Sequence, residues 1–119
     1  MTHSHAQDAA GRPVDLVHLS RQTLGDRELE REVLTLFERQ SITMIQRLKH
    51  ATTARTWAEA AHTLKGSARG IGAFAVAEAA ERVEMDQIDH LSTDSWQDLA
   101  RLEATVTETN RFIAELRAA

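Results

Sequence analysis

Apolar residues recur at three- and four-residue steps along almost the whole chain. Between Asp26 and Lys49 the series is Leu34, Phe37, Ser41, Met44, Ile45 and Leu48, with Glu and Arg in the intervals. That spacing gathers one stripe on one face of an α-helix. A shorter helix is predicted upstream: it starts at Pro13-Val14-Asp15, with Asp15 as its cap and Leu16 and Leu19 as its stripe. Gly25 ends it, and Asp26 caps the long helix beyond. Ala51-Thr52-Thr53 breaks the rhythm. A third helix then spans Ala54 to Arg69 on Trp57, Ala61, Leu64, Ala68 and Ile71, with Gly70-Ile71-Gly72 as its turn. A fourth covers Ala73 to Ile88 with Val76, Ala80 and Val83. After His90-Leu91-Ser92-Thr93 a last helix, capped by Thr93 or Asp94, is expected to turn Trp96, Leu99, Val106, Ile113 and Leu116 inward.

No segment alternates with period two, so strands are not expected. Amphipathic helices joined by short connections must bury their stripes against one another. The simplest solution is all-α: an antiparallel up-down-up-down four-helix bundle, with the short additional N-terminal helix closing one end. Residues 1–12 are polar or small without periodicity and read as a flexible N-terminal tail; residues 13–119 form one domain. Composition agrees, with 42% hydrophobic and 27% charged residues and a single proline, Pro13.

Charge and residue usage narrow the function. A formal net charge of -4 gives no basic face for nucleic acid. The lack of cysteine removes disulfides, thiolate catalysis and Cys-type zinc sites. No apolar run approaches the ~20 residues of a membrane span and no signal-peptide core is present, so a cytoplasmic location is expected. No Gly-rich phosphate loop or Ser-His-Asp set can be assembled, which argues against phosphorylation from ATP by this chain alone. His3 and His5 read as solvated tail residues. His18, His50 and His90 fall near helix ends without a metal-ligand partner at i+4, and Glu81, Glu84 and Asp86 read as a solvated face.

His62 is different. In His62-Thr63-Leu64-Lys65-Gly66-Ser67-Ala68, a nucleophilic imidazole is followed by a cation at i+3 and a glycine at i+4, neighbours on one helical face. Phased against the apolar stripe of the third helix, His62 falls about 140° from its centre, Lys65 about 80°, Arg69 about 120° and Gly66 about 180°. Arg55 and Ala58 extend the same outer strip. The histidine is therefore expected at the surface. A mid-helix glycine costs about 1 kcal/mol relative to alanine, so Gly66 is a local weakness that access for another molecule would explain. Ser67 lies elsewhere on the helix and is expected to bond back to a carbonyl.

The run from His62 to Ala68, followed by Gly72-Ala73 and ending near Val83-Glu84, resembles the signature of histidine-containing phosphotransfer (HPt) domains. Asp15 to Phe37 resembles the same family, with a short helix, a Gly25-Asp26 break and a phenylalanine in the second helix; the likeness covers residues 13 to 117. It implies that His62 takes a phosphoryl group, through Nε2, from the aspartyl phosphate of one response-regulator receiver domain and passes it to another. It implies further that Lys65 stabilises the phosphohistidine and that Gly66, with Arg69 and Ala58 around it, makes room for the receiver. The partners implied are receiver domains and a hybrid sensor histidine kinase. The chain would need no cofactor or metal of its own, the receiver supplying Mg²⁺. The competing reading is a helical bundle that docks a receiver or kinase without being phosphorylated. A dimerisation module is disfavoured by the absence of a broad second apolar stripe, and a monomer is expected.

Overall fold

The computed structural model describes residues 11–86 and 93–119. Its five helices are, in order, α1 (Leu16–Gln22), α2 (Arg27–Lys49), α3 (Ala54–Ile71), α4 (Phe74–Met85) and α5 (Thr93–Ala118). There is no strand among the described residues. The tail with His3 and His5, Ile88 and the connection holding His90 lie outside them; Thr93 and Asp94, expected as caps of the last helix, are already inside α5, which begins at Thr93.

The starts of α1, α2 and α3 are each set by a side chain that accepts from an otherwise unpartnered backbone N–H, whereas α4 starts at Ala73 without a side-chain cap. Asp15 accepts from the His18 amide at 3.0 Å, Asp26 from Leu29 at 3.1 Å and Thr53 from Thr56 at 3.1 Å. The ends obey turn chemistry. At the end of α3, Gly72 adopts a left-handed φ of 83°, while the Ala73 amide donates to the Ala68 carbonyl and the Gly72 amide to Arg69. One residue suffices for that closure, so α3 runs through Gly70 to Ile71 and the turn is shorter than Gly70-Ile71-Gly72. An added Cβ at Gly72 would lie 3.0 Å from the Asp15 carbonyl oxygen, and the Asp15 amide donates to the Gly72 carbonyl at 2.9 Å. Gly72 is thus where the start of α1 is clamped against the α3–α4 corner.

α1 ends through two consecutive left-handed residues: the expected Gly25, at φ 74° and donating to the Ser20 carbonyl, and before it an unexpected Leu24, at φ 55°. α4 stops at Met85, where Asp86 turns to an extended ψ of 149°.

α2 packs on α3, α3 on α4, α4 on α5 and α5 back on α2, while α1 lies against α3. Between α2 and α5 the links are Lys49–Glu103 at 2.7 Å, Asn110 donating to Ser41 at 3.1 Å, and Arg117 with Glu38 and Thr35. The core contains the six expected α2 positions, and on α3 Trp57, Ala60, Ala61, Leu64, Ala68 and Ile71. Trp96 departs from expectation at 49% exposed, whereas Ser95 is buried. Ser95 is four residues before Leu99, and with Leu102, Val106, Thr109 and Ile113 it holds one helical phase; Trp96 lies about 100° off it.

The contact that positions the candidate site is internal. The buried Trp57 indole N–H donates to the Val83 carbonyl at 2.6 Å. The carbonyl belongs to the last turn of α4 and also accepts from the Asp86 amide at 3.1 Å, so the indole takes its second acceptor position. The bond fixes α4 along α3 so that Glu84, the next residue, falls beside His62.

Candidate functional site

His62 stands on the outer face of α3 with 69% of its side chain exposed, as its helical phase requires. Its Nδ1 lies 3.0 Å from Glu84 Oε2. Glu84 Oε1 is 2.6 Å from Lys65 Nζ. The Lys65 ammonium, first of all, and the His62 ring hold the Glu84 carboxyl below the ordinary carboxylate range against the opposing effect of burial. An ionised carboxylate only accepts, so Nδ1 carries a proton in this contact, and in the neutral ring Nε2 then holds the lone pair. One carboxylate thus orients the imidazole and neutralises the lysine.

This corrects one expectation. Glu84 is not part of a solvated face: its side chain is 25% exposed and joins His62 to Lys65. Lys65 sits nearer the core than His62, as its helical phase implies. It is 13% exposed in the crease between α3 and α4. Sequence reasoning missed Glu84 because the pairing crosses two helices. The signal available was spacing: Glu81 and Glu84 are i, i+3 on α4, matching the cations of α3.

The rest of the strip is more loosely held. An added Cβ at Gly66 would meet nothing within 4 Å, and the same holds at Gly70 one turn later. Nothing among the described residues therefore requires glycine at Gly66. Arg69 Nη2 reaches Glu81 Oε1 at 3.7 Å, a half-exposed pair. Ala58 is half-buried on the turn before His62, and Arg55 is bonded to Glu59 at 2.8 Å. Ser67 does not bond back to a carbonyl; it donates to Gln40 Oε1 on α2.

The remaining described histidines have structural surroundings. His18 meets Phe74 edge-on at 5.3 Å between centroids, and His50 Nδ1 lies 2.8 Å from the Gln46 carbonyl at the end of α2. A cleft of about 520 Å³ between α1, α2 and the end of α5 contains Leu16, Leu34 and Arg31 but no histidine. Among the described residues, no group of three or more His, Cys, Asp or Glu side chains is arranged to hold a metal ion. No described helix is long and apolar enough to cross a membrane.

The family model described as Hpt domain matches residues 32–118. The chain belongs to the Hpt domain family. Searches of curated proteins and of solved structures return no match. Members of the Hpt family carry phosphoryl groups on histidine in phosphorelays and work with receiver domains and kinases. The match begins inside α2, so α1 lies outside the matched span and is clamped onto it at Gly72. Within that span the described histidines are His50 and His62, and of these His62 has a carboxylate on one ring nitrogen and solvent on the other.

Proposed function

We propose that this Hpt domain is a phosphorelay carrier in which His62 accepts a phosphoryl group from the aspartyl phosphate of one receiver domain and yields it to another. The observation that carries the reading is the exposed imidazole whose Nδ1 is held by Glu84, beside open backbone at Gly66. In the forward step the Nε2 lone pair forms the N–P bond while the P–O bond of the aspartyl phosphate breaks and its electron pair leaves on the receiver carboxylate. The Nδ1 proton stays in place, and the positive charge that builds on the ring faces Glu84. The reverse step returns the P–N pair to the ring. Such transfer needs chiefly alignment and charge compensation. The receiver contributes Mg²⁺ and its own basic residue, so this chain supplies a nucleophile on a rigid helix. Gly66 lets the partner approach the α3 backbone, with Ala58 and Arg69 at the edges of the contact and Lys65 serving the phosphoryl oxygens in competition with Glu84.

The order of the α2–α5 and α3–α4 links supports an antiparallel up-down-up-down bundle for the four long helices. On this reading the protein acts as a cytoplasmic monomer that serves a hybrid kinase and a response regulator.

The test is transfer from a receiver charged with acetyl phosphate. Wild type should gain acid-labile, base-stable phosphate and His62→Gln none. Equal uptake by the two proteins, or no uptake from any receiver of the same cell, overturns the proposal.

A further inference from the structure

All three cations of α3 are already ion-paired. Arg55 is held by Glu59 within the helix, Lys65 by Glu84 and Arg69 by Glu81. The last two partners sit three residues apart on α4 and reach the same face of α3 that carries His62. Arg82, between them in sequence, lies about 100° round α4 from Glu81. With a neutral imidazole, the formal charges of His62, Lys65, Arg69, Glu81 and Glu84 cancel. A phosphoryl group arriving on Nε2 brings close to two negative charges onto a face whose α3 cations are all committed.

We infer that Glu81 and Glu84 hold the phosphoacceptor face at zero net charge and so keep the phosphohistidine short-lived, making the domain a through-going relay and not a phosphate store. The inference rests on the reading of His62 as phosphoacceptor and concerns the lifetime of the phosphoryl group on the ring. Glu84 acts twice. It competes with the phosphoryl oxygens for the Lys65 ammonium. It also favours the proton on Nδ1, which makes the ring a better leaving group when the P–Nε2 bond breaks. Both effects favour loss of the phosphoryl group. Glu81 acts only through charge, on the more distant and more exposed Arg69. Glu84 is therefore a positioning residue, and its effect should exceed that of Glu81.

The experiment uses the whole chain, charged with phosphoramidate so that no receiver is needed: Nε2 attacks phosphorus, the P–N bond of the donor breaks and ammonia leaves. Decay of the phosphohistidine is tracked near neutral pH by phosphorus NMR in wild type, Glu81→Gln, Glu84→Gln and the double variant. Glutamine keeps an acceptor for Nδ1–H and removes only the charge. Half-lives should lengthen about twofold for Glu81→Gln and about fivefold for Glu84→Gln, the scale set by single surface charge pairs. A Glu84→Gln phosphohistidine that decays as fast as wild type overturns the inference. A second arm needs no covalent step. Inorganic phosphate is titrated while the backbone amides of Lys65, Gly66 and Arg69 are observed, and the double variant should bind more tightly; equal affinity also overturns it. If receivers fail to charge His62 while these orders hold, the relay proposal falls and the charge balance of the face stands.

Discussion

At the residue scale, Gly66 is the side chain whose absence says most. Its φ does not require glycine, and a methyl group there would meet open space. Alanine at this position should therefore strengthen α3 by about 0.5–1 kcal/mol, the ordinary helix preference. If the bare backbone exists for a docking partner, the same Gly66→Ala change should slow transfer from a charged receiver. Urea denaturation and transfer rate, measured on one sample, check the pair of signs. A variant both more stable and equally fast would remove the access argument. His62, Lys65 and Gly66 were readable from the sequence because they share one helix, whose phase is a local property. Glu84 was not, because its role depends on the register between α3 and α4. That register is set by the Trp57 indole bond to the Val83 carbonyl, a contact with no local signature.

At the scale of the elements, two left-handed residues make opposite predictions. Leu24 closes α1 at φ 55° with 93% of its surface exposed, so the strain of a Cβ there is offset by no burial. Leu24→Gly should leave stability unchanged or raise it by up to about 1 kcal/mol. Gly72 has the same sign of φ, but its missing Cβ is replaced by the backbone of Asp15. Gly72→Ala should cost at least about 1–2 kcal/mol, because strain and the loosened α1 clamp add. Thermal unfolding of both variants decides the matter, and a Gly72→Ala protein as stable as wild type would show that the α1 contact yields freely. The same contrast explains which element boundaries the sequence predicted. Asp15, Asp26 and Thr53 stand next to strong helical patterns, where a cap or break residue is locally recognisable. Leu24 is a residue no turn rule selects. Trp96 was misplaced because its size outweighed its phase, while the small Ser95 took the inward position.

At the scale of the whole molecule, two carboxylates on neighbouring turns set opposing pH trends. Glu84 is held below its ordinary value in the fold, chiefly by the Lys65 ammonium. Its contribution is present above the unfolded carboxyl range and is lost as pH falls through the folded value. Asp86 goes the other way: burial, then Asp98 beside it, push its carboxyl up to about 6 from 3.8. Its folded form holds the proton more tightly, so its contribution is full below the unfolded value and is lost as pH rises through about 6. Glu84 is ionised in the fold by the unfolded carboxyl range, and above that range the raised Asp86 loses stability progressively until about pH 6, so stability should peak near the unfolded carboxyl range and fall from there to about pH 6. Asp86→Asn removes the group that loses its proton. It should raise stability by about 1 kcal/mol at neutral pH, allowing for partial solvent screening, and change it little at the acid peak. Urea titrations of wild type and Asp86→Asn across this range test the assignment. An Asp86→Asn curve parallel to wild type at every pH would mean that the α4–α5 junction carries no titrating strain. A curve flattened only on its alkaline limb would place that strain at Asp86, two residues beyond the carboxylate that orients His62.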